Sequence, residues 1–221
     1  MGPPSASRAL KVILLGQPGV GKTALAVRFA TKRFIGEYDC EAERVYKVED
    51  SGGSWEIVDP PGCPPGPVEP KLRWADAIIL VYSVTDRVSF EETSRLRFLV
   101  SHAKRGRKIP QVVLLVGNKA DLSGSPGERM VASWEGRRRA EDIEAHGFYE
   151  ISVRESIDQV RDIFKDISRL WIESQNSLGN QSSPFRGRAS TDGRIETQRL
   201  SSPHCYGIAG RRFSISARGA P

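Results

Sequence analysis

Residues 16–23 read GQPGVGKT. The stretch fits G-x-x-x-x-G-K-[ST]. It lies between the apolar run Leu10–Leu15 and TALAVRFATKRF (23–34), whose apolar spacing is helical. A strand, a glycine loop and a helix in that order are the context in which the pattern has physical meaning. Gly16, Gly19 and Gly21 allow backbone N–H groups to wrap a phosphate, and the helix N-terminus adds positive potential. Lys22 brings a formal charge, and Thr23 a hydroxyl suited to Mg²⁺. Gln17, Pro18, Val20 and Ala24 complete the candidate phosphate-binding segment.

Outward from this loop, short apolar runs alternate with amphipathic ones. RVYKVED (44–50) and SWEIVD (54–59) predict a hairpin around residues 50–53, and AIILVYS (77–83) and VVLLVGN (112–118) predict buried strands. Helices are expected near SFEETSRLRFLVSHAKR (89–105), over SWEGRRRAEDIEAHG (133–147) and from Ser156 to about Ser174, with a short strand FYEIS (148–152) before the last. Such alternation predicts an α/β fold whose mostly parallel sheet has helices on both faces and ligands outside the carboxyl ends of its strands.

Further loops at such ends carry chemistry. IVDPPGCPPG (57–66) brings an apolar strand to Asp59 and then stops it with prolines, which cannot donate to a sheet ladder. Asp59 is thereby held at a rim. Pro60, Pro61, Pro64, Pro65, Pro67 and Pro70 predict a stiff segment with little regular helix. GNKAD (117–121) suits guanine, because the Asp121 carboxylate can accept from both a ring N–H and the exocyclic amine, a donor pair that adenine lacks. SVR (152–154) offers the backbone N–H groups of Ser152, Val153 and Arg154 to the guanine carbonyl.

The 221 residues, 38% hydrophobic, suit one medium domain with an appendage. The net charge of +6 is concentrated in the tail, where seven arginines from Ser177 onward face only Asp192 and Glu196. The charge therefore does not indicate a nucleic-acid-binding body. The expected plan is a flexible N-terminus over 1–7, a globular domain over 8–174 and a disordered arginine- and serine-rich tail over 175–221. RRFS (211–214) within the tail suits a basophilic kinase. Cys40, Cys63 and Cys205 predict neither disulfides nor a zinc cluster, and Cys63 reads as an inert thiol. There is no apolar run of 18 residues and no signal-peptide pattern, which reads as soluble and intracellular. Cys205 lies sixteen residues from the end, and Pro3 and Ala6 break the myristoylation pattern, so no lipid anchor is expected. The four tryptophans read as packing residues and Arg137–Arg139 as a solvated helix face. The three histidines show no ligand spacing.

Gly16–Thr23, Asp59–Gly62, Asn118–Asp121 and Ser152–Arg154 resemble, in order and spacing, the Ras superfamily of small GTPases. RWADAIILVYSVTDRVSFEE and VGNKADL are similar to the branch of the Ras-related oestrogen-regulated growth inhibitor and its Ras-like relatives. The resemblance implies a P-loop NTPase small G domain with a six-stranded sheet containing one antiparallel strand. It also implies binding of GTP and GDP with Mg²⁺, and two switch segments. By the same resemblance Thr23 and Asp59 hold the metal, Lys22 and the Gly62 N–H serve the γ-phosphate during hydrolysis, and Phe34, Asn118 and Lys119 surround the base. Protein effectors, with activating or exchange proteins, would be the partners and the cytoplasm the location, transient membrane-surface or nuclear presence being left open.

Departures from the family pattern bear on hydrolysis. Glu41 stands where the family has a metal-binding threonine, and no Ser or Thr occurs between Thr31 and Ser51. Pro18 replaces a small residue and lacks an N–H. Cys63 replaces the glutamine that orients water, and a thiol is a short, weak donor. The expectation is a signalling GTPase with slow hydrolysis. The alternatives are a largely non-hydrolysing GTP-bound interaction module, or a scaffold that has lost Mg²⁺-dependent binding.

Overall fold

The computed structural model describes residues 8–36, 43–50, 53–61, 68–103, 109–124 and 128–179. Among the described residues six strands and five helices follow in the order β1 Leu10–Leu15, α1 Lys22–Thr31, β2 Arg44–Asp50, β3 Gly53–Asp59, α2 Glu69–Trp74, β4 Ala77–Ser83, α3 Arg87–Ala103, β5 Val112–Asn118, α4 Ser133–Asp142, β6 Gly147–Glu150 and α5 Ile157–Gly179. A 3₁₀ turn over Ala120–Gly124 follows β5. The sheet order is β2-β3-β1-β4-β5-β6. Among the described strands only the β2–β3 pair is antiparallel. This is the α/β fold that the alternating pattern predicts.

Period-two alternation divides the core. Val12, Leu14, Ile57, Ile79 and Leu114 face Leu25 and Phe29 of α1 and Ile163 and Phe164 of α5. Ile13, Val58, Ile78, Leu80 and Leu115 face Leu72 of α2, Phe90 and Val100 of α3 and Ala140 of α4. Every residue of β4 and β5 is consequently buried, which is why these strands read as continuous apolar runs. Phe29 stacks on Phe164 with ring centroids 3.7 Å apart, and both meet Trp55 edge-on.

The helix ends depart from the sequence expectation. α1 stops at Thr31 rather than 34, because Lys32 turns left-handed (φ 64°) while its N–H still reaches the Arg28 carbonyl. α3 begins at Arg87, its first N–H groups capped by the Asp86 carboxylate, which accepts from Val88 and Ser89. α4 ends at Asp142, five residues early, where Ala145 N–H closes back on the Ala140 carbonyl and Glu144 is left-handed. α5 runs to Gly179, into the expected tail, since no glycine or proline interrupts it before that point. α2 was not expected among the prolines. Pro70 sits in its first turn, where its missing N–H has no intrahelical acceptor to lose.

Two surface readings are corrected. Trp134 is 65% exposed rather than packed. Arg139 is not solvated: it donates to the Ser94 hydroxyl at 2.7 Å, pairs with Glu91 at 2.9 Å and lies over the Phe90 ring at 4.3 Å. Glu41, Gly62, Cys63, the hairpin turn at 51–52, the N-terminus over 1–7 and the tail from 180, with RRFS, lie outside the described residues.

Candidate nucleotide-binding cleft

The carboxyl ends of β1, β3, β5 and β6 open onto one cleft of about 360 Å³. From the glycine loop it takes Pro18, Gly19, Gly21, Lys22, Thr23 and Ala24; from the end of β3, Asp59; from the β5 end, Asn118, Lys119 and Asp121; and from the β6 end, Val153 and Arg154. Phe34 also borders it and is 40% exposed. Four segments distant in sequence thus meet where the strand ends place them.

The loop conformation depends on its glycines. At Gly16 a Cβ would lie 2.1 Å from the Val81 carbonyl oxygen, and at Gly21 (φ 100°) 2.2 Å from Asn118 Nδ2. Any side chain there would push the loop off β4 or off β5. Val20 is buried beneath the loop, and Gly16 and Gln17 turn their carbonyls to Lys22 Nζ, each at 3.0 Å. Lys22 itself is only 7% exposed.

Asn118 is the tie between loops. Its Nδ2 donates to the Val20 carbonyl at 2.9 Å, and its Oδ1 accepts from Val153 N–H at 3.1 Å. The Ile151 carbonyl accepts from Ala120 N–H, which fastens the 3₁₀ turn carrying Asp121. Ser152 lies just outside the cleft: its N–H donates to Gln159 Oε1 and its hydroxyl accepts from Glu155 N–H. Two of the three N–H groups expected to face a guanine carbonyl, those of Ser152 and Val153, are therefore engaged inside the protein, although Val153 and Arg154 both border the cleft. Asn118→Ala would strand the buried Val153 N–H and Val20 carbonyl. It should cost about 3 kcal/mol of stability without nucleotide, read from the urea midpoint at an unchanged slope.

Thr23 Oγ1 donates to Asp59 Oδ2 at 2.6 Å. Asp59 is buried, and its other oxygen, Oδ1, has no hydrogen-bond partner among the described residues. Burial pushes the Asp59 carboxyl above its usual range, against the Thr23 hydrogen bond and the charges of Lys22 and Arg44. A desolvated carboxylate with an unpartnered oxygen beside a hydroxyl fits a hard divalent cation. Among the described residues no three His, Cys, Asp or Glu side chains converge. A cation here would complete its shell with phosphate oxygens and water, as Mg²⁺ commonly does.

The sequence pattern of the Ras family matches residues 11–173. The chain belongs to the Ras family. It is 39% identical over 168 residues to the human Ras-related and estrogen-regulated growth inhibitor, covering 74% of this chain and 81% of that protein. It is 38% identical over 170 residues to the zebrafish (Danio rerio) Ras-like protein family member 11B, covering 72% and 67% respectively. The human member 11B is 34% identical over 195 residues, covering 83% and 75%. The fold and the branch resemblance expected from the motifs are both met. The chain is a Ras-like small GTPase by family, and the family binds guanine nucleotides and effectors. No helix among the described residues is long and apolar enough to cross a membrane.

Three cleft residues were not anticipated from sequence: Gly36, Pro60 and Leu122. Pro60 and Leu122 directly follow Asp59 and Asp121, so adjacency was the available signal. Gly36 lies two residues after Phe34, which also borders the cleft.

Proposed function

We propose that this protein is a cytoplasmic guanine-nucleotide switch that binds GTP and GDP with Mg²⁺ and hydrolyses GTP slowly. What supports the reading is the meeting of the glycine loop, Asp59, Asp121 and Arg154 around one cleft. The N–H groups of residues 19–24, with Lys22, hold the phosphates. Lys22 Nζ, now on the Gly16 and Gln17 carbonyls, sits within the same loop and is the charge that balances the transferred phosphoryl. Thr23 and Asp59 hold Mg²⁺, which when bound neutralises charge on the phosphate oxygens. Asp121 selects guanine through its two acceptor oxygens, with Lys119 and Phe34 against the base. The Gly62 N–H serves the γ-phosphate. Effectors, and activating or exchange proteins, are the protein partners.

Slow hydrolysis rests on residue chemistry. Pro18 borders the cleft where a small residue leaves room for attacking water, and Cys63 and Glu41 replace an amide and a hydroxyl. The nucleotide extracted from the purified protein, separated by ion exchange, tests the binding reading. GDP or GTP near one per chain is expected. An empty protein that also fails to load GTP in millimolar Mg²⁺ would instead support a scaffold without nucleotide.

A further inference from the structure

The β2–β3 ribbon sets beside Asp59 a charge that the phosphate, metal and base loops do not include. Its antiparallel register sets Arg44 directly opposite Asp59 and Tyr46 opposite Ile57. Side chains alternate along a strand, so Arg44 and Tyr46 share the face of Trp55, Ile57 and Asp59. That face is the one α1 covers: Val48, Trp55 and Ile57 pack with Leu25 and Phe29, and Thr23 at the start of α1 bonds Asp59. Arg44 thus comes to the carboxylate from β2 while Thr23 comes from α1. Directly opposed residues of an antiparallel pair have Cβ atoms about 5 Å apart, well within the reach of a guanidinium.

The polar groups of this ribbon act on one another. Burial raises the Tyr46 hydroxyl, the Arg44 guanidinium lowers it and the Asp59 carboxylate raises it again. Tyr46 is therefore within electrostatic reach of both charges. An arginine does not deprotonate at any working pH, so this positive charge is permanent.

We propose that Arg44 is a resident cation of the divalent-metal site, sharing the Asp59 carboxylate with Mg²⁺, so that Mg²⁺ binds the nucleotide complex more weakly and nucleotide retention depends on it less. The inference rests on the reading that the cleft holds guanine nucleotide with Mg²⁺. Two cations drawn to one carboxylate repel each other. The same fixed charge offers the phosphates a substitute counter-charge when the metal leaves.

The test follows release of GDP carrying an N-methylanthraniloyl fluorophore from the full chain into excess GDP, across free Mg²⁺ concentrations set with EDTA. Arg44→Gln should move the Mg²⁺ midpoint of retention to about tenfold lower Mg²⁺, and should make release without Mg²⁺ faster. Arg44→Met, which keeps an apolar stem against the ribbon, supplies a second neutral variant should the first fail to fold. Arg44→Lys keeps the charge and should stay near the parent midpoint. An unchanged or raised midpoint in the neutral variants overturns the proposal, as does a lysine variant that behaves like the neutral ones. A parent protein that retains no labelled GDP at any Mg²⁺ concentration brings down the nucleotide reading itself, and this proposal with it.

Discussion

Single-turnover phosphate release from the GTP-loaded protein in Mg²⁺ should run below about 10⁻⁴ s⁻¹, the unaided scale of small GTPases with an intact site. On the proposed reading three substitutions fall on one chemical step. Cys63 cannot polarise water as an amide does, because its thiol is a short, weak donor. Pro18 borders the cleft and carries no N–H, so it both occupies room near the attack site and removes a donor. Glu41 stands in the sequence where the family has a metal-binding threonine, and on the proposed reading a carboxylate replaces that neutral hydroxyl. Cys63→Gln alone should recover little, since Pro18 and the surrounding prolines still misplace the amide. Adding Pro18→Gly should recover more than the two single changes combined, because residues serving one transition state are not additive. Rates for the parent, both single variants and the double variant give the answer. A parent rate well above about 10⁻⁴ s⁻¹ would mean that another group, such as Glu41 or Glu43, positions the water. A nucleotide that stays intact in every variant would favour the non-hydrolysing interaction module.

Asp121→Asn should exchange one base preference for another. Asp121 borders the cleft on a 3₁₀ turn fastened at Ala120 to the β6 end, and on the proposed reading its two oxygens accept from a paired donor. An asparagine offers one acceptor and one donor. Guanine then meets an N–H where it presents its amine, whereas xanthine presents a carbonyl there. GTP affinity should fall by at least about a hundredfold and xanthosine triphosphate should gain, because a site built around a hydrogen-bonded group strongly rejects the mismatched partner. Displacement of labelled GDP by GTP, ATP and xanthosine triphosphate measures it. A variant that still prefers GTP would refute the role, and so would a parent that binds ATP and GTP equally.

What could be read without coordinates was local. β1, β4 and β5 end where the apolar runs Leu10–Leu15, AIILVYS and VVLLVGN end, because a strand buried on both faces writes its length directly into composition. The glycine loop was legible for a related reason: Gly16 and Gly21 stand where backbone or a buried amide leaves no room for a Cβ, so the residue type itself records the constraint. Helix ends were less legible, since the apolar spacing of α1 continues past Thr31 and only the left-handed turn at Lys32 stops it. Pro70 misled for the opposite reason, because a proline's meaning depends on whether it enters a helix in its first turn or later.

Partnership was decided by the tertiary structure alone. Arg139 and its neighbours Arg137 and Arg138 look alike in sequence, and only the approach of α3 gives Arg139 a phenyl ring, a hydroxyl and a carboxylate. Asn118 bonds a carbonyl 98 residues before it and an N–H 35 residues after it. Arg44 faces Asp59 only because the hairpin register is set as it is, and a slip of one residue would turn it to the other face of the sheet. Periodicity and backbone constraint act within a few residues and are written into the chain. The field at a carboxylate is summed over groups that only folding brings together.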